Sequence, residues 1–214
     1  MATHKQYMED RSLMGEANVT SVSTDGTVVR LERTLFHPQG GGQPADTGLI
    51  AGIAVLSVRH ADASEVDHFL EKPAAFVPGD LVALEVDADQ RRDNARHHSA
   101  GHLIADVVEG LFDTAKAVQG HHWPGESRVE FTGLGPDEAV DPALLQDVVN
   151  RAVASGMAFD IVKTNDGIRA LKIGSGNPVG CGGTHVSTAS ELQGLIVTKV
   201  KRRKGRTKVS YSFT

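Results

Sequence analysis

The sequence predicts an α+β protein, with a small N-terminal β-barrel followed by a mixed half of strands and helices. Three observations predict it. Twenty-three glycines and eight prolines in 214 residues call for many turns. Residues 17–87 read as short β-type runs broken by turn signals, with almost no helical periodicity. After Val86 apolar residues recur at three- and four-residue steps instead. The change of style divides the chain into residues 1–88 and 89–214.

Val19 to Leu31, interrupted by Thr24-Asp25-Gly26, predicts a hairpin. Gly48 to Val58, Val66 to Leu70 and Leu81 to Val86 are further strands, the last led in by Gly79-Asp80. Between them Phe36-His37-Pro38-Gln39-Gly40-Gly41-Gly42-Gln43-Pro44 must be a loop. Asp87 or Asp89 can cap a helix that runs to about Phe112, burying a stripe of Ala100, Leu103, Ile104, Val107, Val108 and Leu111. Ser127 to Phe131 is a strand, and Asp141 with Pro142 opens a second helix through about Ser155. Phe159 to Lys163 follows as a strand and Ile168 to Leu171 as a helical turn. Gly174 to Gly183 is a glycine-rich loop. Strands and helices in this mixed order give an antiparallel α+β core, not a wound parallel sheet.

Cys181 is the single cysteine, which excludes an intrachain disulfide and an all-cysteine zinc site and points to a reducing cytoplasm. No apolar run approaches the roughly 18 residues that span a bilayer. The start, Met-Ala-Thr-His-Lys-Gln, has no apolar h-region, so neither a membrane segment nor a signal peptide is expected. A phosphate loop of the GxxxxGK[ST] type is missing, and no nucleotide cofactor is expected. The net charge of −5 hides an asymmetry: the first 191 residues hold all 27 acidic residues but only 15 of the 22 basic ones. The other seven fall within Lys199–Lys208, and Gly194–Val197 and Val209–Phe213 flank them as strand-like runs, predicting a cationic hairpin. Lys201, Arg202, Arg203, Lys204 and Arg206 are its candidate RNA-phosphate contacts, against the alternative of a solvated face.

Two short motifs carry the chemistry. In His98-Ser99-Ala100-Gly101-His102 the i and i+4 imidazoles lie on one helix face and can address one ion. In Cys181-Gly182-Gly183-Thr184-His185 a thiol and an imidazole stand four apart in a glycine-rich loop. Three histidines and one thiolate suit zinc, so His98, His102, Cys181 and His185 are the predicted ligands. His97 competes with His98, but its i+4 partner is Gly101, which cannot ligate. His121 and His122, beside Trp123, read as surface residues of a loop. Four protein ligands close a tetrahedral site, the structural pattern. The ion therefore expands its coordination, or keeps one ligand loose, or only organises the pocket. Cys181 as a nucleophile is a fourth reading.

HSAGH followed by CGGTH, with Thr34 to Gly48 (TLFHPQGGGQPADTG) upstream, resembles the editing domain of alanyl-tRNA synthetases and most of all the freestanding alanyl-tRNA editing (AlaX-type) proteins. The threonyl-tRNA synthetase editing domain is similar in the two zinc motifs but lacks this N-terminal half. The likeness covers nearly the whole chain and its size is that of the medium-length class. His37 departs from relatives that often carry tyrosine. The resemblance implies a zinc-dependent deacylase that releases serine, and also glycine, from mischarged tRNA(Ala). It further implies that Gly41 and Gly42 bring backbone N–H groups to the substrate. Gln43 supplies an amide contact, and the Thr34 hydroxyl meets the serine side chain. A structural zinc module that holds RNA without chemistry, a zinc hydrolase of small molecules, and editing of Ser-tRNA(Thr) are the alternatives. Alanine enters any pocket that admits serine, so selectivity must come from the serine hydroxyl.

Overall fold

The computed structural model describes residues 2–62, 64–135 and 138–214. It divides into two compact units, residues 1–40 with 44–92 and residues 41–43 with 93–214. The short stretch Gly41–Gln43 thus leaves the unit that contains its neighbours and clusters with the second.

The first unit holds β1 (His4–Lys5), β2 (Met14–Val22), β3 (Val28–Leu31), β4 (Arg33–Thr34), β5 (Gly48–Ile50), β6 (Ile53–His60), β7 (Val66–Leu70) and β8 (Leu81–Val86). Six of them close a barrel in the order β2-β3-β7-β6-β5-β8, every pair antiparallel, while β1 and β4 form a separate parallel pair. Strict alternation drives closure. In β8 the residues Val82, Leu84 and Val86 turn inward and Leu81, Ala83 and Glu85 outward. β7 buries His68 between Val66 and Leu70, and its ring is held on both sides. Its Nδ1–H donates to the Val29 carbonyl at 3.0 Å, and its Nε2 accepts from the Thr34 hydroxyl at 2.8 Å. Burial lowers its pKa to about 4, so the neutral form and this tautomer persist.

The loop after β4 is anchored by a buried ion pair. Asp46 is fully buried and receives the Arg91 guanidinium and the His37 backbone N–H, the latter at 2.6 Å. Arg91 also donates to the Leu35 carbonyl at 2.6 Å. His37 packs edge-on against Tyr7, with ring centroids 5.2 Å apart, and burial lowers its pKa to about 4. His37 is therefore a neutral packing residue.

Helix α1 (Ala88–Leu111) opens on Asp87, whose carboxylate accepts from the Gln90 N–H at 2.9 Å. The second unit continues with β9 (Lys116–His121), β10 (Arg128–Thr132), α2 (Pro142–Ala154), β11 (Phe159–Lys163), β12 (Arg169–Ile173), β13 (Val179–Gly180), β14 (Leu195–Arg203) and β15 (Arg206–Phe213). Asp141 caps α2 and Pro142 stands in its first turn, as the sequence predicts. A four-stranded antiparallel sheet runs β14-β15-β10-β9, and a three-stranded one β11-β12-β13. Ala100, Leu103, Ile104 and Val108 of α1 are fully buried in one core with Leu145 and Val149 of α2 and Phe131, Val209 and Tyr211 of the larger sheet. The cationic hairpin is present. Its Lys204-Gly205 turn has positive φ at both residues, 50° and 74°, the twist that suits a tight hairpin.

Several local expectations fail. Leu111, expected in the buried stripe of α1, is 38% exposed, and Gly48 to Val58 is a hairpin of β5 and β6, not one strand. Ile168–Leu171 is not a helical turn: Arg169–Ile173 is a strand, paired with β11 from Phe159↔Ile173 to Lys163↔Arg169. The i,i+3 spacing of Ile168 and Leu171 is accidental, because cross-strand pairing decides the local structure. His121 is not in a loop but ends β9, a strand the sequence does not predict, paired with β10. Among the described residues no helix is long and apolar enough to cross a membrane.

Candidate active site and metal centre

The two motifs converge in the second unit. One donor atom from each of His98, His102, Cys181 and His185 lies within 4.8 Å of every other. Cys181 Sγ is 3.2 Å from His185 Nε2 and 3.6 Å from His98 Nε2. Ligands at 2.0–2.3 Å from a tetrahedral zinc stand about 3.3–3.8 Å apart, so this donor set fits the ion in type and spacing. Helix α1 supplies the two histidines from one face, and the loop from Cys181 to His185 supplies the others.

Hydrogen bonds behind the donors aim them. His98 Nδ1–H donates to Gln43 Oε1 at 2.7 Å, which directs the Nε2 lone pair at the thiol. The same Oε1 accepts the Thr184 N–H at 3.0 Å, and Gln43 Nε2 donates to the Thr184 hydroxyl at 2.8 Å. His185 Nδ1 lies 3.1 Å from the Ser99 hydroxyl, which accepts the Val186 N–H at 3.1 Å. Arg169 ties the loop from below by donating to the carbonyls of Cys181 and, at 3.0 Å, Gly183. Gly183 is required for close approach: a Cβ there would lie 2.1 Å from the His98 ring.

Charge follows burial. Desolvation lowers the His102 pKa to about 4, keeping the neutral ring that ligation needs. Burial pushes the Cys181 thiol up, against the pull of the Gly183 N–H and the Arg169 guanidinium. A metal would expel that proton. A thiol held protonated without one is not an activated nucleophile.

A cavity of about 710 Å³ opens beside the donors. Gly41, Gly42, His98, His102 and Cys181 line it; His185 and Gln43 do not. Gly41 and Gly42 both have positive φ, 57° and 80°. Gln43 is fully buried with its amide committed to His98 and Thr184, behind the metal ligand instead of facing the cavity. Thr34 belongs to the barrel unit and is fully buried there. It donates to His68, accepts the Phe36 N–H at 3.1 Å, and retains one lone pair.

Sequence reasoning missed two groups. His122 is 5% exposed and lines the cavity, with its ring stacked on that of His98 at 4.7 Å. It is not a surface residue; the glycine at 120 is the available signal, since a strand end without a side chain leaves room for a ring. His121 does stack on Trp123, at 5.7 Å. Asp106, one turn beyond His102, lines the cavity with Glu109, and burial together with Glu109 raises its pKa.

The predicted cationic residues separate into two sets. Lys201, Arg203, Lys204 and Arg206 line a second groove of about 510 Å³ with Lys208 and Glu130. Arg202 turns away and donates to the carbonyls of Leu134, at 2.6 Å, and Gly135. Glu130 bonds Lys208 at 3.1 Å and Arg206 at 3.4 Å, offsetting part of the groove's charge.

No protein-family model matches the chain. Individual relatives do. The chain is 30% identical over 203 residues to the alanyl-tRNA editing protein AlaX-M of Pyrococcus horikoshii, an alignment covering 89% of this chain and 88% of that protein. It is 29% identical to the alanyl-tRNA editing protein Aarsd1 of Bos taurus, over 92% of this chain and 48% of that protein. It is 28% identical to the alanine–tRNA ligase of Acholeplasma laidlawii, over 88% of this chain and 24% of the ligase. The chain therefore spans about half of the bovine protein and a quarter of the ligase, but nearly all of AlaX-M. With 88% of that relative covered and the HSAGH and CGGTH donors in one cluster, the chain belongs to the freestanding, AlaX-type alanyl-tRNA editing proteins.

Proposed function

We propose that the protein deacylates mischarged Ser-tRNA(Ala), releasing serine and intact tRNA. The observation that carries this reading is the His98–His102–Cys181–His185 cradle at the wall of a cavity in a chain of this family. Zinc is the metal we assign to the cradle; when bound it supplies Lewis acidity towards an ester carbonyl and acidifies a coordinated water. Gln43 orients His98 as a ligand. Gly41 and Gly42 leave the backbone bare at the wall, open to an approaching ester. The carboxylates of Asp106 and Glu109 match the α-ammonium of the aminoacyl group.

Thr34 is the proposed serine contact. Because its hydroxyl hydrogen is committed to His68, it can act only as an acceptor from the serine hydroxyl. Alanine offers no donor, and an acceptor left unpaired in a buried site penalises its ester. Lys201, Arg203, Lys204 and Arg206 are the proposed contacts to tRNA phosphates.

Removal and return of the metal tests the proposal. Protein stripped with a chelator should lose serine release from Ser-tRNA(Ala) and regain it with one equivalent of zinc. Full activity of metal-free protein would rule out a metal-dependent reaction, and retention of unhydrolysed Ser-tRNA(Ala) by the zinc form would mark an RNA-binding module.

A further inference from the structure

His122 is the buried polar side chain of the cavity wall that the metal does not use. Its orientation is fixed. The Tyr211 hydroxyl donates to the His97 carbonyl at 2.9 Å, so its oxygen receives the His122 Nδ1–H at 2.6 Å. A neutral imidazole with its hydrogen on Nδ1 presents a bare lone pair on Nε2. Among the described residues that atom has no hydrogen-bond partner.

The walls are built around this ring. A Cβ on Gly120 would lie 2.3 Å from Nε2, and one on Gly101 2.3 Å from Cε1 and 2.4 Å from Nδ1. One on Gly42 would lie 3.1 Å from Cδ2, and the His122 N–H donates to the Gly42 carbonyl at 2.8 Å. Three cavity glycines from three separate segments are thus bare where the imidazole sits. The glycine between the two metal-binding histidines of HSAGH is one of them.

We propose that His122 Nε2 is a substrate-binding acceptor for the free ribose hydroxyl next to the ester on the terminal adenosine. This rests on the proposed deacylase reading. The aminoacyl end offers three hydrogen-bond donors near the reacting carbonyl: an ammonium, a serine hydroxyl and that ribose hydroxyl. An ammonium is better matched by the carboxylates of Asp106 and Glu109 on the same wall. The ribose hydroxyl is attached two carbons from the ester oxygen, so an acceptor for it must stand close to the metal donors. His122 does so, with its ring 4.7 Å from that of His98 and 6.4 Å from that of His102. A locked, neutral acceptor suits a neutral donor that every aminoacyl-tRNA carries, so this contact anchors the ester without choosing the amino acid.

The test crosses two enzyme changes with one substrate change, using the zinc-loaded full chain. His122→Asn keeps an amide N–H where Nδ1 bonds Tyr211 but removes Nε2, while His122→Gln returns an amide near the Nε2 position. The substrates are Ser-tRNA(Ala) and the same tRNA ending in an adenosine that lacks the neighbouring hydroxyl. On the ordinary tRNA, His122→Asn should lower kcat/KM about ten-fold, the worth of one hydrogen bond, with zinc content unchanged. On the deoxy tRNA the wild type should already be about ten-fold slower, and His122→Asn should cost nothing further. His122→Gln should recover most of the loss on the ordinary tRNA only. Losses that multiply to about a hundred-fold would overturn the contact. Loss of zinc from His122→Asn would instead make His122 a prop for His98. A drop confined to serine esters, with glycine esters spared, would reassign the acceptor to the side chain. If the wild type releases serine from neither tRNA, the deacylase reading fails and takes this inference with it.

Discussion

Gln43→Met separates a role behind the metal from a role against the substrate. The native amide makes three buried hydrogen bonds, to His98 Nδ1–H, the Thr184 N–H and the Thr184 hydroxyl, and the side chain is fully buried. Methionine fills nearly the same volume but accepts poorly, so two buried donors lose their partner. Each such donor costs about 1–3 kcal/mol, and a Tm several degrees lower is expected. The larger signal is on the metal. Removing the group that fixes a ligating histidine typically costs 10–100-fold in affinity, or about 1.4–2.7 kcal/mol. Competition against a chromophoric chelator reads that number directly. Gln43→Glu is the control, because a carboxylate still accepts from both donors and should hold zinc within a few-fold of wild type. Wild-type zinc affinity in Gln43→Met would refute the ligand-orienting role. If that variant also lost deacylation, Gln43 would be a direct substrate contact, the role the family resemblance implies.

Thr34→Val removes the hydrogen donated to His68 and the acceptor of the Phe36 N–H. It should lower serine release about ten-fold or more and reduce Tm, with zinc content unchanged; an unaltered ratio of Ser- to Ala-tRNA(Ala) hydrolysis would move the selectivity elsewhere. Neutralising Lys201, Arg203, Lys204 and Arg206 together should weaken tRNA binding and flatten its dependence on salt, each lost phosphate contact lowering the slope by about 0.7–0.9. Arg202→Ala should act differently, lowering Tm with little change in the salt slope, because its guanidinium holds Leu134 and Gly135. Asp46→Ala strands the buried Arg91 guanidinium and should cost about 3–5 kcal/mol by denaturant unfolding. His37 and His68 titrate near 4 in the folded barrel unit and near 6.5 once unfolded. The unfolded chain therefore binds protons first, so stability holds above pH 6.5 and falls between about 6.5 and 4. A stability that stayed flat across that window would contradict their burial as neutral rings.

The four clustered donors of the candidate metal site were legible because their signal is local. An i,i+4 histidine pair and a lone cysteine four residues from a histidine need no tertiary information to be read as ligands. The barrel strands were legible from period-two alternation, as in Leu81–Val86, and the cationic hairpin from Lys204-Gly205 between two strand-like runs. What sequence could not reveal was set by distant partners. Lys116–His121 shows no clear alternation, since four of its six residues are exposed, and it becomes a strand only through pairing with Arg128–Thr132. His122 looked like a loop residue because its burial depends on glycines at 42, 101 and 120 and on Tyr211, 89 residues away. Gln43 likewise bonds His98 across 55 residues and Thr184 across 141. Its place beside GGG signalled a functional loop, but not that the amide faces a ligand instead of a substrate.

The most direct measurement is single-turnover release of amino acid from Ser-tRNA(Ala) and Ala-tRNA(Ala) by the zinc-loaded protein, with His102→Ala in parallel. Serine should leave its tRNA while alanine stays attached. His102→Ala, which breaks the four-donor cradle, should release neither. Equal release of serine and alanine, or serine release by His102→Ala at the wild-type rate, would contradict a metal-cradled site that edits tRNA(Ala).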